Sequence, residues 1–344
     1  MSQSTVKRAN WLELFYDLIF VYAISKATHI LAHAHEGHLS AHQYFIFLLV
    51  IIPIWWAWTG HTLFATRFDI DKPIQRILTL FQMLAVVFWA TFINADFDPN
   101  YLGYLVFYVL IRSILIFMYW QVCKTHEHAT NVAKRLTLGF GIGLLVALSS
   151  LFFEAPIRYF VLYLGITIEI LTPLLSKEVL KKLPVNGHHL PERYGLLTII
   201  LLGESVIILA TNLSNTGLSY TNFSASVAGF ITISSLWWIY FDLVENHLIS
   251  AALSTGQNII YGHLFIYIGL SMLAVFIGFS LENTLLFLHH LILLFFSFVF
   301  LFIGFILVFS VKILVKKKYL SMYILLLIAP GIMLYSGLIE KLGA

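Results

Sequence analysis

Long apolar stretches separated by short polar connections run along the whole chain. A stretch of about 20 apolar residues is long enough to cross the hydrocarbon of a bilayer as a helix. Such segments fall at 11–32, 43–65, 74–95, 101–122, 136–153, 158–175, 194–212, 223–244, 260–280, 285–309 and 320–338. The pattern predicts an all-α, polytopic integral membrane protein of about eleven transmembrane helices, since in lipid every backbone polar group must be satisfied internally. Pro53, Pro156, Pro173 and Pro330 are expected to kink helices or mark their ends. Met1 to Asn10 lacks the apolar segment and cleavage site of a signal peptide, so the first apolar helix is expected to be retained.

The loops test the helix count, because Lys and Arg gather on the cytoplasmic side. With the N-terminus inside, that side collects Lys7 and Arg8, then Arg67, Lys72 and Arg76, then Lys124, Lys134 and Arg135, then Lys177, Lys181, Lys182 and Arg193, and finally Lys312, Lys316, Lys317 and Lys318. The other side collects Arg158 and Lys341, so the division is sixteen against two and favours a cytoplasmic N-terminus. The connection after the eighth segment carries Asp242, Glu245, His247 and His263 and no Lys or Arg.

Short motifs recur in order about 180 to 190 residues apart. Trp55-Trp56-Ala57-Trp58 resembles Trp237-Trp238-Ile239-Tyr240, and Met83-Leu84-Ala85-Val86 returns as Met272-Leu273-Ala274-Val275. Glu13-Leu14-Phe15 opens the first segment, and Glu192-Arg193-Tyr194 precedes the seventh. Transporter folds are often built from duplicated bundles. The expected organisation is two repeats of the same orientation, residues 8–182 with six helices and 188–340 with five.

Composition sharpens the membrane reading. Hydrophobic residues make up 60% of the 344 and charged residues 11%, whereas soluble domains carry about 25% charge. Cys123 is the single cysteine, which excludes a disulfide framework or a thiolate metal cluster. The basic residues are loop charges with no basic domain behind them, so no nucleic-acid partner is expected. Neither Gly-x-x-x-x-Gly-Lys-Ser/Thr nor His-Glu-x-x-His occurs. With connections too short for a separate catalytic domain, the chain is not expected to be an enzyme, and no cofactor is implied.

Ionisable residues at membrane depth are the exceptions that carry chemistry. Glu13 and Asp17 are four residues apart and share a helix face. Asp17 lies roughly 9–12 Å along its helix at about 1.5 Å per residue. A central aspartate costs roughly 2.5–3.5 kcal/mol on insertion scales, so it is expected to face the bundle interior, paired or protonated. Two like charges at this spacing favour a shared proton. In Leu201-Leu202-Gly203-Glu204-Ser205, Glu204 falls near the midplane, with Gly203 expected to allow close helix approach and Ser205 to act as a local donor. Glu169 adds an acid in the sixth segment. Arg112 in the fourth is expected as the internal counter-charge, since guanidinium makes two-pronged contacts with carboxylates. Lys26 can snorkel to the interface. For each acid the plainer alternative is a salt bridge that locks helices together.

Histidines number fourteen. His29, His33, His35, His38 and His42 crowd the first outer loop; His29 and His33 are placed on one helix face, and His29, His33, His35 and His38, near Glu36, are candidates for holding Zn²⁺ or Cu²⁺. Titration of an outward cluster and a plain polar loop are the other readings. His61, beside the Trp55, Trp56 and Trp58 run, is either a relay partner of the acids or a hydrogen-bonded core histidine. The tryptophans are read as interface belt or bulky packing. His289 and His290 are read as interfacial.

Two segments carry a family resemblance. Trp11-Leu12-Glu13-Leu14-Phe15-Tyr16-Asp17-Leu18-Ile19-Phe20-Val21-Tyr22-Ala23-Ile24 and His188-His189-Leu190-Pro191-Glu192-Arg193-Tyr194-Gly195-Leu196-Leu197-Thr198-Ile199-Ile200-Leu201-Leu202-Gly203-Glu204-Ser205 resemble the signature segments of the bacterial low temperature requirement protein A family. The resemblance extends from about 8 to 340 and implies a multi-pass protein of the bacterial cytoplasmic membrane, with no settled substrate. Pro191 separates His188 and His189 from the glutamate-arginine pair, where the family commonly has a histidine. Residues Phe15 to Ile24 are also similar to the first helix of two-repeat potassium channels, with Tyr16 where that motif has serine.

The expected function is a proton- or cation-coupled transporter, with Glu204, Asp17 and Glu13 as protonatable or ion-binding groups and Arg112 as counter-charge. The alternatives are a passive cation channel or a membrane-embedded sensor or assembly protein. Partners are then protons or small cations, a small solute, the bilayer and, as a further option, a second copy in a homodimer.

Overall fold

The computed structural model describes residues 7–68, 72–248, 253–314 and 316–343, without the side chains of residues 312, 337 and 339–343. Residues 1–6 of the segment read for a signal peptide, and the side chains of Lys312 and Lys341 counted among the loop cations, lie outside the described residues.

The described chain is helical throughout apart from its connections and one isolated bridge between His35 and His38. The long helices are α1 (Trp11–His29), α2 (Ala41–Phe68), α3 (Pro73–Thr91), α4 (Phe97–Thr125), α5 (Thr130–Ser149), α6 (Ile157–Leu175), α7 (His189–Thr216), α8 (Tyr220–His247), α9 (Gln257–Glu282), α10 (Phe287–Phe309) and α11 (Leu320–Gly343). Ten of them are long and apolar enough to cross a membrane. The other is α1, which carries Glu13, Asp17 and Lys26 within 19 residues. The protein is therefore a polytopic, all-α membrane protein.

Local chemistry explains where the helices begin. Pro73 opens α3 at a position where a missing N–H costs nothing. The Ser219 hydroxyl caps α8 by accepting from the Asn222 amide at 3.0 Å. Asn10 and Glu13 cap α1 reciprocally: the Asn10 carboxamide accepts from the Glu13 amide at 2.9 Å, and the Glu13 carboxylate accepts from the Asn10 amide at 2.8 Å. Asn186 accepts from the His188 and His189 amides at 3.0 and 2.9 Å, so α7 starts at His189 rather than near 194. Its first turn thereby includes His189 and Arg193. Pro53, Pro173 and Pro330 lie inside α2, α6 and α11, and Pro156 caps α6.

Contacts group the chain into two compact units: Met1–Ala23, Ile52–Arg193 and Ala251–Gln257 form one, and Ile24–Ile51, Tyr194–Ser250 and Asn258–Ala344 the other. In the first, α3 packs on α4, α4 on α5 and α5 on α6. Helices α5 and α6 meet at glycines: a Cβ on Gly143 would lie 2.7 Å from the Gly165 carbonyl oxygen, a distance real side chains do not adopt. The core of this unit holds Trp55, Trp56, Trp58, Trp89, Tyr104, Tyr108 and Tyr119, all fully buried. In the second unit α8 packs on α11. Helix α9 is buried from Ile259 to Leu281 except at Tyr261, Leu264 and Phe265. It meets α10 where a Cβ on Gly304 would lie 2.8 Å from the Gly262 carbonyl oxygen. Large apolar side chains such as Phe160, Leu175, Phe295, Phe302 and Leu327 are exposed, as lipid-facing positions require.

Candidate functional site

Within the first unit, two buried ion pairs stand among aromatic donors. Asp17 is fully buried; it accepts from the Trp58 indole at 2.7 Å and from the Arg193 guanidinium. The other Arg193 nitrogen, Nη1, lies 3.4 Å from Glu13 Oε1. His189 Nε2 is 3.1 Å from Glu13 Oε2, while its Nδ1 is 3.0 Å from the Thr66 hydroxyl. A neutral ring carrying its proton on Nε2 satisfies both contacts, donating to the carboxylate and accepting from the hydroxyl. Glu13 and Asp17 on α1 thus face His189 and Arg193 on α7, each couple four residues apart, with the two N-terminal segments running in the same direction. Arg193 between the acids supplies the charge that a shared proton was expected to supply.

The second pair joins Arg112 Nε to Glu169 Oε2 at 2.6 Å, both residues fully buried. Trp56 and Tyr108 each donate to the same carboxylate oxygen at 3.2 Å. The guanidinium lies over the rings of Phe140 and Trp56, 4.9 and 5.7 Å from their centroids. Gly60 makes this possible, because a Cβ there would collide with Arg112 Nη1. Arg112 is therefore the counter-charge of Glu169, and Arg193 takes the place expected of Arg112 beside Asp17 and Glu13. Arg193 was counted as a loop cation, as was Arg67; both are buried, and Arg67 donates to the Leu183 carbonyl at 2.6 Å. The interface-belt reading of the tryptophans falls as well, since Trp55, Trp56 and Trp58 are core residues and two of them donate to the buried acids.

His61 stacks on Tyr16 at 4.2 Å and meets Gln82 Oε1 through Nδ1 at 3.0 Å. It also lines, with Glu13, a cavity of about 60 Å³, enough for a few waters. Its observed partners are those of a hydrogen-bonded core histidine beside the acid cluster.

The second unit places Glu204 differently. Its side chain is half-buried, accepts from the Ser25 hydroxyl at 2.6 Å and lines a cavity of about 410 Å³. The same cavity is lined by His29, His33, Thr211, Asn212 and Glu282. Among the described residues no basic side chain lies within ion-pair distance of Glu204. Ser205 is turned away and back-bonds to the Leu201 carbonyl at 3.4 Å, so Ser25 is the donor that Ser205 was expected to be. A Cβ on Gly203 would meet nothing within 4 Å, so this glycine serves no close helix approach.

The first-loop histidines separate. Helix α1 ends at His29, so His29 and His33 do not share a helix face, though both reach the cavity. His35 and His38 form a tight turn through paired backbone bonds of 3.1 and 2.9 Å, with Gly37 at φ +78°. His38 Nδ1 meets His289 Nε2 at 3.0 Å. Among the described residues no three His, Cys, Asp or Glu side chains gather as metal ligands, which removes the structural support for the candidate Zn²⁺ or Cu²⁺ cluster.

Residues 8–340 match the family described as bacterial low temperature requirement A protein (LtrA). The chain belongs to this family. It is also similar to a protein of Rhizobium meliloti (strain 1021) named only as uncharacterized, with 25% identity over 295 residues, 80% of this chain and 70% of that one. Of the two segments that carry the LtrA resemblance, one supplies Glu13 and Asp17 and the other His189, Arg193 and Glu204. The pairing of His189 and Arg193 had a readable signal: their own four-residue spacing repeats that of Glu13 and Asp17. Ser25 had none, being one hydroxyl among many on an apolar helix.

Proposed function

We propose that this LtrA-family protein is a proton- or cation-coupled transporter of the bacterial inner membrane, with Glu204 as the group that binds and releases the coupling ion. The observation that carries the reading is Glu204 at a cavity that also carries hydroxyl, imidazole and carboxamide groups, held by one hydroxyl at 2.6 Å and by no ion pair among the described residues. A carboxylate locked against arginine stays charged, whereas one facing a cavity with only a hydroxyl donor can exchange protons or cations with water. Asp17, Glu13 and Glu169 then serve as fixed charges that hold α1, α4, α6 and α7 together. Orientation with the N-terminus cytoplasmic places the cavity toward the outside, where His29 and His33 give it polar walls. Removing the buried Arg67 and Arg193 from the loop cations leaves that asymmetry large.

Purified protein in liposomes loaded with a pH dye and challenged with K⁺, Na⁺ or divalent cation gradients tests the reading. The native chain moves protons against the imposed cation gradient, and Glu204→Gln falls to the rate of empty liposomes while keeping its thermal unfolding profile. Equal flux by mutant and native protein makes Glu204 structural and removes the mechanism. Flux that needs no exchange partner identifies a channel instead.

A further inference from the structure

A second large cavity lies away from Glu204 and has the opposite character. It is a groove of about 590 Å³ whose walls are apolar side chains of α8, α10 and α11, among them Leu236, Leu301, Phe302, Phe305 and Leu327. Its α10 wall from Phe298 to Phe305 and its α11 wall from Leu320 to Leu327 are each about 10 Å long at about 1.5 Å per residue. At one end the groove is closed by Lys316 and Lys317, in the connection between α10 and α11. An apolar slot within a membrane-spanning unit, capped by ammonium groups where the helices end, has the amphipathic pattern of one kind of molecule.

The charges around the rim sharpen this. Asp242, the acid paired with these lysines among the described residues, is already engaged: Lys318 donates to Oδ2 at 2.7 Å and the Tyr319 hydroxyl to the same atom at 2.6 Å. Lys316 contacts His247 Nε2 at 3.4 Å, a neutral acceptor in that arrangement. Lys317 is exposed and makes no ion pair among the described residues. Among the described residues, Lys316 and Lys317 are therefore left without a carboxylate partner, while Asp242 is taken by Lys318. Tyr323 lines the groove, and its hydroxyl donates to the Leu314 carbonyl at 3.1 Å. That bond ties α11 to the connection that presents the lysines.

We propose that this groove is a binding site for an anionic phospholipid, its acyl chain lying along α10 and α11 and its phosphate held by Lys316 and Lys317. Charge complementarity selects the occupant. A zwitterionic lipid fills the slot equally well but offers the lysines no net charge, and basic recesses between transmembrane helices are the usual seats of acidic headgroups. The site is independent of the Glu204 cavity, so it holds whether or not the chain transports ions.

Native mass spectrometry of the protein in neutral detergent, titrated with phosphatidylglycerol or phosphatidylcholine of matched chains, tests the assignment. Phosphatidylglycerol is retained at lower concentration than phosphatidylcholine, and Lys316→Gln with Lys317→Gln weakens it about thirtyfold while leaving phosphatidylcholine unchanged. Leu327→Trp, which fills the apolar slot and leaves the lysines in place, weakens both lipids. Glycerol 3-phosphate does not displace the bound lipid. Equal retention of the two lipids, an unaltered preference in the double lysine variant, displacement by the soluble headgroup, or a dimer mass in place of lipid adducts each overturns the proposal. Lys316 and Lys317 are exposed, so their substitution leaves the unfolding temperature in detergent unchanged, and that measurement accompanies the titration.

Discussion

Asp17 and Arg193 have no water to fall back on. Both are fully buried, and removing one partner of a buried pair leaves an uncompensated charge that costs about 3–5 kcal/mol. Asp17→Asn is therefore expected to destabilise the protein strongly in thermal unfolding in detergent, although the amide is nearly the same size. Arg193→Gln should do the same. The double substitution should cost less than the sum of the two, because each single change includes the penalty of a stranded charge that the double change avoids. Strictly additive losses would mean that the two side chains do not act on each other. The contrast with Glu204 is chemical: its replacement by glutamine removes no ion pair, and Ser25 can still donate to the amide oxygen. At this scale the sequence told which residues are out of place in lipid but not who answers whom. Glu13, Asp17, Glu169, Arg112 and Glu204 stand out because charge in an apolar run is expensive. Arg193 did not, because it lies at the edge of such a run, where a loop cation is ordinary. Only the start of α7 at His189 reassigns it.

The helices carry the next level of constraint. Ten spans were legible because lipid forces apolar sequence over the whole length of a crossing, and α1 was legible because its three charges interrupt an otherwise apolar run. Helix starts were less legible where the first turn is polar, as in α7, since a capping Asn and a His–Arg face look like a loop. The same two helices carry both groups of chemistry: α1 bears Asp17 and Ser25, and α7 bears Arg193 and Glu204. Glycines divide into those that set helix spacing and those that do not, which sequence alone does not distinguish. Gly165 and Gly141 make the test. A Cβ on Gly165 would run into the backbone of α5, whereas one on Gly141 would meet nothing within 4 Å. Gly165→Ala should cost about 1–3 kcal/mol as an overpacked contact. Gly141→Ala should be neutral or slightly stabilising, since Ala is the better helix former by about 1 kcal/mol. Unfolding of the two variants side by side in one detergent checks this, and equal effects would mean that α5 and α6 do not approach closely.

For the molecule as a whole, the orientation in the bilayer and the opening of the Glu204 cavity form one question, because a coupling ion must reach the acid from a defined side. The loop cations argue for a cytoplasmic N-terminus, and on that orientation the Lys316–Lys318 connection is cytoplasmic while His29, His33 and Thr211 lie toward the outside. A chain with one native cysteine makes this measurable. In a Cys123→Ser background, Thr211→Cys lines the cavity and is expected to react with a membrane-impermeant maleimide applied to intact cells. Lys317→Cys, exposed in the connection before α11, is expected to react only after the membrane is permeabilised. The reverse pattern would invert the orientation and with it the direction of coupling. Protection of Thr211→Cys from both sides would mean a cavity closed to water. Glu204 would then have no path for an ion, however favourable its local chemistry.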